Sequence, residues 1–576
     1  TDEAYKNLPF DPRIDITFTE DTKRTITIKD SGIGMNEQDL NEQLGTIARS
    51  GTKKFLSQMK DDSRKDANLI GQFGVGFYSS FMVAEKVEVI TRKAGEESAW
   101  KWSSNGRNAY SIDPAERDEA GTTIILHLND EGDQYANRWQ IEQLVKKYSD
   151  HIAFPIYLEY DQKNWEGEGD DRKEVVEHKI EQINKAAALW KRPKSELTDD
   201  DYNEFYKSTT HDYEEPLFYI HTRAEGTLEY TTLFFIPSKA PFDLYQADYK
   251  PGVKLYVKRV YITDDEKELL PTYLRFVRGV IDSEDLPLNV SREILQQNRV
   301  MANIRNASVK KILGELKKLS ESNPEKYDTF IKQFNRPLKE GLYSDYANKE
   351  QLQELVRFKS TEVEGYTSLA KYRERMKEDQ KAIYYIAGGS EETLRNSPLI
   401  EAYKKKGIEV LIMDDDIDDI VIPTIGKFDE MELKAINKSG AADDLKTDDD
   451  KKKEKEAKPV IKKIKEALGD RVKDVVVSSR LTEAPSCVVV DENDPTVQMQ
   501  QMLKAMGQTE LPEFTPILEI NPDHPILKKI GETKDKEFIA DISHILLDQA
   551  MLAEGVMIKQ PTDFVKKLNA GLSRTL

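Results

Sequence analysis

Asp30-Ser-Gly32-Ile-Gly34-Met35 follows a run, Thr25-Ile-Thr-Ile28, in which polar and apolar residues alternate as in a half-buried strand. The spacing predicts that Asp30 lies at the end of that strand, where its carboxylate can accept a hydrogen bond from an amino group such as that of adenine. Gly32 and Gly34 lack the β-carbons that would keep a flat ring away from the backbone. Asn36 is the predicted N-cap of a helix that follows.

A second glycine-rich stretch, Gly71-Gln-Phe-Gly74-Val-Gly76-Phe77, precedes a predicted helix that begins near Phe77. Backbone amides at a helix N-terminus favour phosphate, both by hydrogen bonding and through the helix dipole. The order of the glycines is not that of the dinucleotide-binding fingerprint, and the Lys-Ser/Thr of a P-loop is missing. Taken singly, each stretch is more often a tight turn than a ligand site. Together they predict a nucleotide pocket.

Composition limits the classes of function. The chain has 576 residues, which predicts three to four domains, and 38% of them are hydrophobic, enough for real cores. Its 105 acidic and 85 basic residues give a net charge of −20, which argues against nucleic-acid or anionic-membrane partners. We expect a cytoplasmic protein, because the single cysteine, Cys487, suits a reducing compartment and no signal peptide or membrane-spanning run is visible.

Changes in composition along the chain predict five segments, and so a multidomain protein of α+β and α/β class. The boundaries are 1–160 for an N-terminal α/β domain, 161–179 for a charged linker, 180–438 for an α/β middle domain, 439–459 for a charged hinge and 460–576 for a mostly helical C-terminal domain. Within the middle domain, 228–236 and 254–262 have the pattern of strands and 391–406 that of a helix.

The end of the chain carries two amphipathic helical patterns. Apolar residues from Phe538 to Leu552 recur at helical spacing, Gly555 is a natural stop, and Thr562 can cap a second helix. Two such helices predict a homodimer held by a four-helix bundle. Packing against their own domain is the alternative.

The segment from Ile281 to Asn298 holds a second constellation. Pro287 favours an extended approach, Ser291 can cap a short helix, and Arg292 and Gln296 then share one face at i and i+4. An arginine there could stabilise charge on a terminal phosphate, because its planar donors stay charged. A surface helix with salt bridges is the alternative interpretation.

The two glycine-rich stretches and Gly121-Thr-Thr-Ile-Ile-Leu126 resemble the adenine and lid motifs of an ATPase superfamily. Gyrase B, histidine kinases, the MutL mismatch-repair proteins and the 90-kilodalton heat-shock chaperones share it. The resemblance implies that the first domain is an α/β sandwich ATPase. A DNA-repair or topoisomerase ATPase is disfavoured by the acidic charge.

Further stretches resemble the 90-kilodalton heat-shock chaperone family, and with them the likeness covers nearly the whole chain. They are Gly45-Thr-Ile-Ala-Arg49-Ser-Gly-Thr-Lys53, the segment 281–298, Tyr148-Ser-Asp-His151, Ala240-Pro-Phe-Asp243 and Ile517-Leu-Glu-Ile-Asn-Pro-Asp-His524. The linker is short and the chain ends Ser573-Arg-Thr-Leu576, which is similar to the bacterial type. No tail that would recruit a tetratricopeptide co-chaperone is therefore expected.

The resemblance implies roles for individual residues. Asp30 would bind the adenine amine, Gly34 and Met35 would line the base, and Thr122 would support it through water. The phosphates would be wrapped by 71–77, with a lid from about Gly45, and Arg292 and Gln296 would reach the γ-phosphate as the catalytic pair. The residues expected to bind ATP are Asp30, Gly34, Met35, Gln43, Arg49, Gly71, Gln72, Phe73, Gly74, Val75, Gly76, Phe77 and Thr122, although Gln43 and Arg49 depart from the residues common in eukaryotic members.

The family's general-base Glu and Mg²⁺-binding Asn would lie upstream of Thr1, so the N-terminal domain is expected to be truncated at its start. Loss of a general base typically costs about 10² to 10⁴ in rate. The resemblance therefore implies an ATPase whose Mg²⁺ ligand is outside this chain, and we expect these 576 residues to hydrolyse ATP weakly or not at all.

The expected function is that of an ATP-dependent molecular chaperone, a dimeric clamp that remodels unfolded or partly folded client proteins. A soft apolar stripe of methionines is the candidate client surface, since methionine repacks around different partners. Its residues are Met499, Met502, Leu503 and Met506, with Trp190 as a further candidate. The alternative for the stripe is a core face, and the alternative function is a client-holding fragment that needs no nucleotide.

Overall fold

The computed structural model describes residues 12–20, 23–45, 76–107, 109–166, 173–265, 267–286, 298–492, 494–496, 499–500 and 515–575. The chain divides into two compact units. The first comprises 1–237, 243–270 and 276–308, and the second 238–242, 271–275 and 309–576.

The first unit begins with a sheet of eight strands in the order β5-β4-β3-β6-β2-β1-β7-β8. The strands are Ile14–Thr19 (β1), Thr25–Asp30 (β2), Ala84–Arg92 (β3), Ala99–Ser104 (β4), Tyr110–Ala115 (β5), Gly121–Leu128 (β6), Ile156–Glu166 (β7) and Lys173–Gln182 (β8). Only β1 and β7 run parallel, and the other neighbours are antiparallel. Helices α1, Glu37–Gln43, and α2, Arg138–Tyr148, belong to the same part of the chain. As the alternation predicts, β2 ends at Asp30.

Strands β7 and β8 occupy much of the segment that composition predicts to be a charged linker. They form an antiparallel ladder from Tyr157 opposite Gln182 to Glu166 opposite Lys173. The charges that suggested a linker lie on an exposed edge strand, where Val176 and Ile180 flank His178. A ribbon with both faces in water has no buried stripe, so its polar composition concealed its strand periodicity. The domain boundary drawn there stays a prediction.

A second sheet of five strands, in the order β12-β11-β13-β10-β9, completes the first unit together with helix α3, Asp199–Thr210. Its strands are Phe218–Ala224 (β9), Tyr230–Ile236 (β10), Gly252–Val257 (β11), Val260–Thr263 (β12) and Arg278–Ser283 (β13). The prediction of a single strand over 254–262 is wrong. Lys258 and Arg259 adopt φ values of +52° and +67° and turn the chain into a β11–β12 hairpin. Left-handed residues in such turns are usually Gly or Asn, so no turn signal was present.

The second unit contains a sheet in the order β14-β16-β15-β18-β17, surrounded by helices. Its strands are Lys359–Ser360 (β14), Ala382–Ala387 (β15), Val410–Met413 (β16), Lys427–Phe428 (β17) and Met431–Ala435 (β18), and its helices are Arg299–Ser322 (α4, which begins in the first unit), Pro324–Ser344 (α5), Lys349–Leu355 (α6), Leu369–Arg375 (α7), Glu391–Arg395 (α8), Glu401–Lys405 (α9) and Asp418–Val421 (α10). The helix predicted over 391–406 is broken into α8, a 3₁₀ turn at Pro398–Ile400 and α9. Pro398 interrupts it because proline disfavours helical geometry in the residue before it.

The C-terminal part is mostly helical, as predicted, around a small sheet in the order β19-β21-β20. Its elements are Asp448–Glu456 (α11), Lys458–Leu468 (α12), Asp474–Val477 (β19), Ser486–Val489 (β20), Ile517–Ile520 (β21), Pro525–Glu532 (α13), Lys536–Ala553 (α14) and Pro561–Thr575 (α15). The predicted hinge is helical rather than irregular: Ser439–Leu445 forms a 3₁₀ helix, and Thr447 caps α11 in a capping box. Gly555, at φ +74°, ends α14 as expected.

Candidate nucleotide-binding site

Asp30 lies at the end of β2, directly opposite Thr122 of β6. Its Oδ1 accepts hydrogen bonds from the backbone N–H of Gly32, at 2.8 Å, and of Thr122, at 3.3 Å. Within the described part of the chain, no donor reaches Oδ2. The carboxylate is therefore oriented through one oxygen, and the other can accept from a ligand.

Gly34 and Gly121 allow the backbone around Asp30 to close tightly. Gly34 has φ +63°, and a β-carbon there would lie 1.9 Å from the carbonyl oxygen of Arg92. Gly121 has φ +121°, and a β-carbon there would lie 2.3 Å from the carbonyl oxygen of Asp30. Both positions need glycine for conformation and for space. The two turns bring three strands together around one carboxylate.

Thr91 of β3 is a site residue that sequence reasoning missed. Its side chain is fully buried, and its hydroxyl oxygen accepts the backbone N–H of Met35 at 2.9 Å and donates to the carbonyl of Gly121 at 3.0 Å. It also lies 3.2 Å from the hydroxyl of Thr122. The only signal in the sequence is a threonine in a strand of alternating apolar residues, and its meaning depends on strand pairing.

Arg117 stabilises the backbone of the turn that carries Asp30. The guanidinium of Arg117 donates to the backbone carbonyls of Asp30, at 3.3 Å, and Glu119, at 2.9 Å, and to the hydroxyl of Thr123. Burial lowers the pKa of Arg117, and the negative charge of Asp30 opposes that shift. Arg117 thus holds the backbone of the turn and leaves the carboxylate free of a direct ion pair among the described residues.

Helix α1 begins beside this cradle. Asn36 is its N-cap, as predicted: the side chain accepts from the N–H of Asp39 at 3.0 Å, and Asp39 accepts in return from Asn36 at 3.2 Å. Lys93 fixes the same turn through an ion pair of 2.7 Å with Asp39. Gln43, predicted to contact the nucleotide, is half-buried in the last turn of α1.

The phosphate side of the predicted pocket is described in part. Gly76 is exposed and opens the 3₁₀ helix Gly76–Met82, and the ring of Phe77 packs edge-on against Trp102 at 5.6 Å. Burial raises the pKa of Tyr78, whose hydroxyl donates to the carbonyl of Leu44 at 3.0 Å. The predicted nucleotide and catalytic residues that lie outside the described residues are Arg49, Gly71, Gln72, Phe73, Gly74, Val75, Arg292 and Gln296.

Of the predicted client-binding residues, the structure describes Trp190 and Met499. Trp190 is buried, and its indole N–H donates to the carboxylate of Asp282 at 2.8 Å. Burial raises the pKa of Asp282, while Lys191, 3.4 Å away, lowers it. The ring of His151 packs on Trp190 at 4.6 Å. Trp190 therefore packs inside the first unit, and client contact by this residue stays a prediction.

The methionine stripe is described only at its start. The backbone N–H of Met499 donates to the hydroxyl of Thr496 at 3.2 Å, and that hydroxyl donates to Asp419 at 2.7 Å. Met502, Leu503 and Met506 lie outside the described residues. No helix in the described part of the chain is long and apolar enough to cross a membrane.

Comparison with known proteins covers almost the whole chain. Residues 12–143 match the family described as histidine kinase-, DNA gyrase B- and HSP90-like ATPase, and residues 160–576 match the family described as Hsp90 protein. The chain is 59% identical to the chaperone protein HtpG of Treponema denticola, over 99% of this chain and 91% of that protein. It is 56% identical to HtpG of Treponema pallidum and 53% identical to HtpG of Wolinella succinogenes, each over 100% of this chain and 92% of the relative.

Proposed function

Because the chain belongs to the Hsp90 protein family, we propose that it is an ATP-dependent chaperone that remodels unfolded or partly folded proteins as a dimeric clamp. The ATPase match over residues 12–143 contains the cradle around Asp30. The observation that carries the proposal is the carboxylate of Asp30, held through Oδ1 beside two glycine turns. A short, fixed acceptor next to bare backbone suits the amino edge of a purine.

In this proposal the described residues bind and orient the base. Asp30 accepts from the adenine amine through Oδ2, Gly34 and Met35 line the ring, and Thr122 contacts it through water. The segment 71–77 wraps the phosphates in this proposal. Arg292 and Gln296 contact the terminal phosphate, in the roles that the family resemblance implies.

Mg²⁺ has no assigned ligand among the described side chains. Within the described ranges, no group of three His, Cys, Asp or Glu residues is placed to hold a metal ion. A metal would neutralise charge on the phosphates when bound with the nucleotide. No step of the proposal is assigned to it.

The clamp part of the proposal is supported by the C-terminal helices. Helix α15 packs on α14, where a β-carbon at Gly571 would lie 3.6 Å from Ile542. Leu552, Val565 and Leu572 on these helices stay exposed. An apolar surface on paired terminal helices suits a second copy of the chain. Client binding is proposed for the methionine stripe that starts at Met499.

Isothermal titration with ATP tests the nucleotide site, using the Asp30→Asn variant. An amide cannot replace the carboxylate as a charged acceptor, and a hydrogen bond to a charged group is worth about 1.5–3 kcal/mol, so we expect ATP affinity to fall roughly 10- to 100-fold. Asp113→Asn, on the exposed face of β5 in the same sheet, is the matched control and should bind like the wild type. Equal affinity in wild type and Asp30→Asn would contradict the proposed site.

Suppression of client aggregation separates this function from nucleotide-independent holding. We expect ATP to change both the extent of suppression and the release of client by the wild type, and to have no such effect on Asp30→Asn. Suppression that is insensitive to ATP in both proteins would favour the holding function.

A further inference from the structure

Three polar side chains form one row across neighbouring strands in the N-terminal sheet. Thr91 of β3 lies opposite Thr122 of β6, and Thr122 lies opposite Asp30 of β2. Directly opposed residues project their side chains from the same face of a sheet. The row therefore runs from a buried hydroxyl, through a second hydroxyl, to the carboxylate of the proposed nucleotide site.

The contacts of Thr91 favour one direction for the hydroxyl hydrogens in this row. Thr91 has a single hydroxyl hydrogen, and the carbonyl of Gly121, 3.0 Å away, can only accept it. Its oxygen already accepts from the N–H of Met35. When the Thr91 hydrogen goes to this nearer carbonyl, Thr122 is the donor in the 3.2 Å contact between the two hydroxyls.

In this arrangement Thr122 has no hydrogen left for a ligand. Its remaining lone-pair capacity makes it an acceptor, and Asp30 beside it is an acceptor as well. A row of two acceptors matches the hydrogens of an amino group or of a water that donates. The same row cannot form a hydrogen bond to a carbonyl oxygen, which is itself an acceptor.

We propose that Thr91 is a positioning residue that sets the hydroxyl of Thr122 as an acceptor and so makes the pocket select a 6-amino purine over a 6-oxo purine. The inference rests on the proposed nucleotide site and adds a residue that does not itself touch the base. Thr91 acts through Thr122 and through the N–H of Met35, which it holds against β3.

The test compares the affinities of ATP and ITP, whose base carries oxygen in place of the amine, in wild type, Thr91→Val and Thr91→Ser. Valine keeps the shape of threonine but removes the hydroxyl, which frees Thr122 to turn its hydrogen toward the ligand. We expect Thr91→Val to weaken ATP binding and to lower the preference for ATP over ITP about tenfold. That factor corresponds to the free energy of about one hydrogen bond. Thr91→Ser keeps the hydroxyl and should keep the wild-type ratio.

The control is Thr232→Val, at a buried threonine of β10 in the other sheet of the same unit, which should leave both affinities unchanged. A merely structural role for Thr91 would lower ATP and ITP affinities in parallel, and an unchanged ratio in Thr91→Val would overturn the inference. Absence of ATP binding by the wild type would instead overturn the proposed function. Circular dichroism of each variant reports whether it has folded.

Discussion

At the scale of single residues, Gly34 is the most constrained position of the candidate site. Its φ of +63° and the nearby Arg92 carbonyl leave no place for a side chain. A left-handed conformation costs a non-glycine residue about 1–2 kcal/mol, and displacing the carbonyl adds to that cost. We predict that Gly34→Ala lowers ATP affinity at least tenfold, because the turn holding Met35 must shift, and isothermal titration measures the loss.

Gly365 provides the matched control for that prediction. It has φ +78° but open space where a β-carbon would be, so Gly365→Ala imposes the backbone strain without the collision. We expect that variant to lose a little thermal stability and to bind ATP normally. Normal ATP binding by Gly34→Ala would mean that the turn is more tolerant than its geometry indicates.

Residues of the site differ in how well their roles can be predicted from sequence. Asp30 and Gly34 carry local signals, a carboxylate at a strand end and glycines beside it, and both lie where those signals place them. Thr91 carries none, because its hydroxyl matters only once β3 lies next to β6. Long-range strand pairing is not encoded in any short window, so a residue that acts through a neighbouring strand escapes motif reasoning.

At the scale of elements, α5 and α10 are joined by a buried ion cluster. The ammonium of Lys339 lies 2.7 Å from Asp415 and 2.7 and 3.0 Å from the two oxygens of Asp418. Lys339 and Asp418 are both buried. Burial raises the pKa of Asp418 to about 6, and Lys339 opposes that rise. Loss of the cation would leave the carboxylate of Asp418 buried without its main counter-charge, which is strongly destabilising.

The pKa of Asp418 gives the joint a dependence on pH. The folded state binds the carboxyl proton of Asp418 more tightly than the unfolded state does. The contribution of Asp418 to stability therefore falls as pH rises from the ordinary pKa of 3.8 toward 6. In Lys339→Met the cation that opposes the shift is absent, so the pKa of Asp418 rises further. The loss of stability then continues to higher pH than in the wild type. We predict that the variant loses about 3–5 kcal/mol near neutral pH and less in acid, measured by denaturant unfolding.

Lys339→Met/Asp418→Asn is the control for the ion cluster. It removes the buried charge together with its partner, so we expect it to recover part of the stability and to lose the added pH dependence. A stability difference between Lys339→Met and wild type that is the same at both pH values would show that Asp418 is not the titrating group.

Elements also show where sequence patterns mislead. Helix α1 and its cap were predictable because the capping residues and the apolar spacing are local. The hairpin at Lys258 and Arg259 was not, since two long basic residues in left-handed conformations give no turn signal. The break at Pro398 could have been predicted from the proline, but the apolar spacing on both sides masked it.

At the scale of the whole molecule, the helices at the chain end have apolar residues that their own unit leaves exposed. Leu552, Val565 and Leu572 are 48%, 50% and 51% exposed. Burying the exposed half of a side chain of this size gains about 0.8–1.5 kcal/mol, and a symmetric interface counts each side chain twice. This apolar surface is the candidate interface of the proposed dimer.

We predict that the double variant Val565→Asp/Leu572→Asp is monomeric at concentrations where the wild type is dimeric, with dimer affinity reduced at least about 100-fold, because two charges per chain would have to be buried unpaired. Sedimentation velocity over a concentration series measures the change. Lys566→Glu places a new negative charge beside Val565 without removing apolar surface and should stay dimeric. A double variant that dimerises like the wild type would show that these residues lie outside the interface, and a monomeric wild type would contradict the clamp itself.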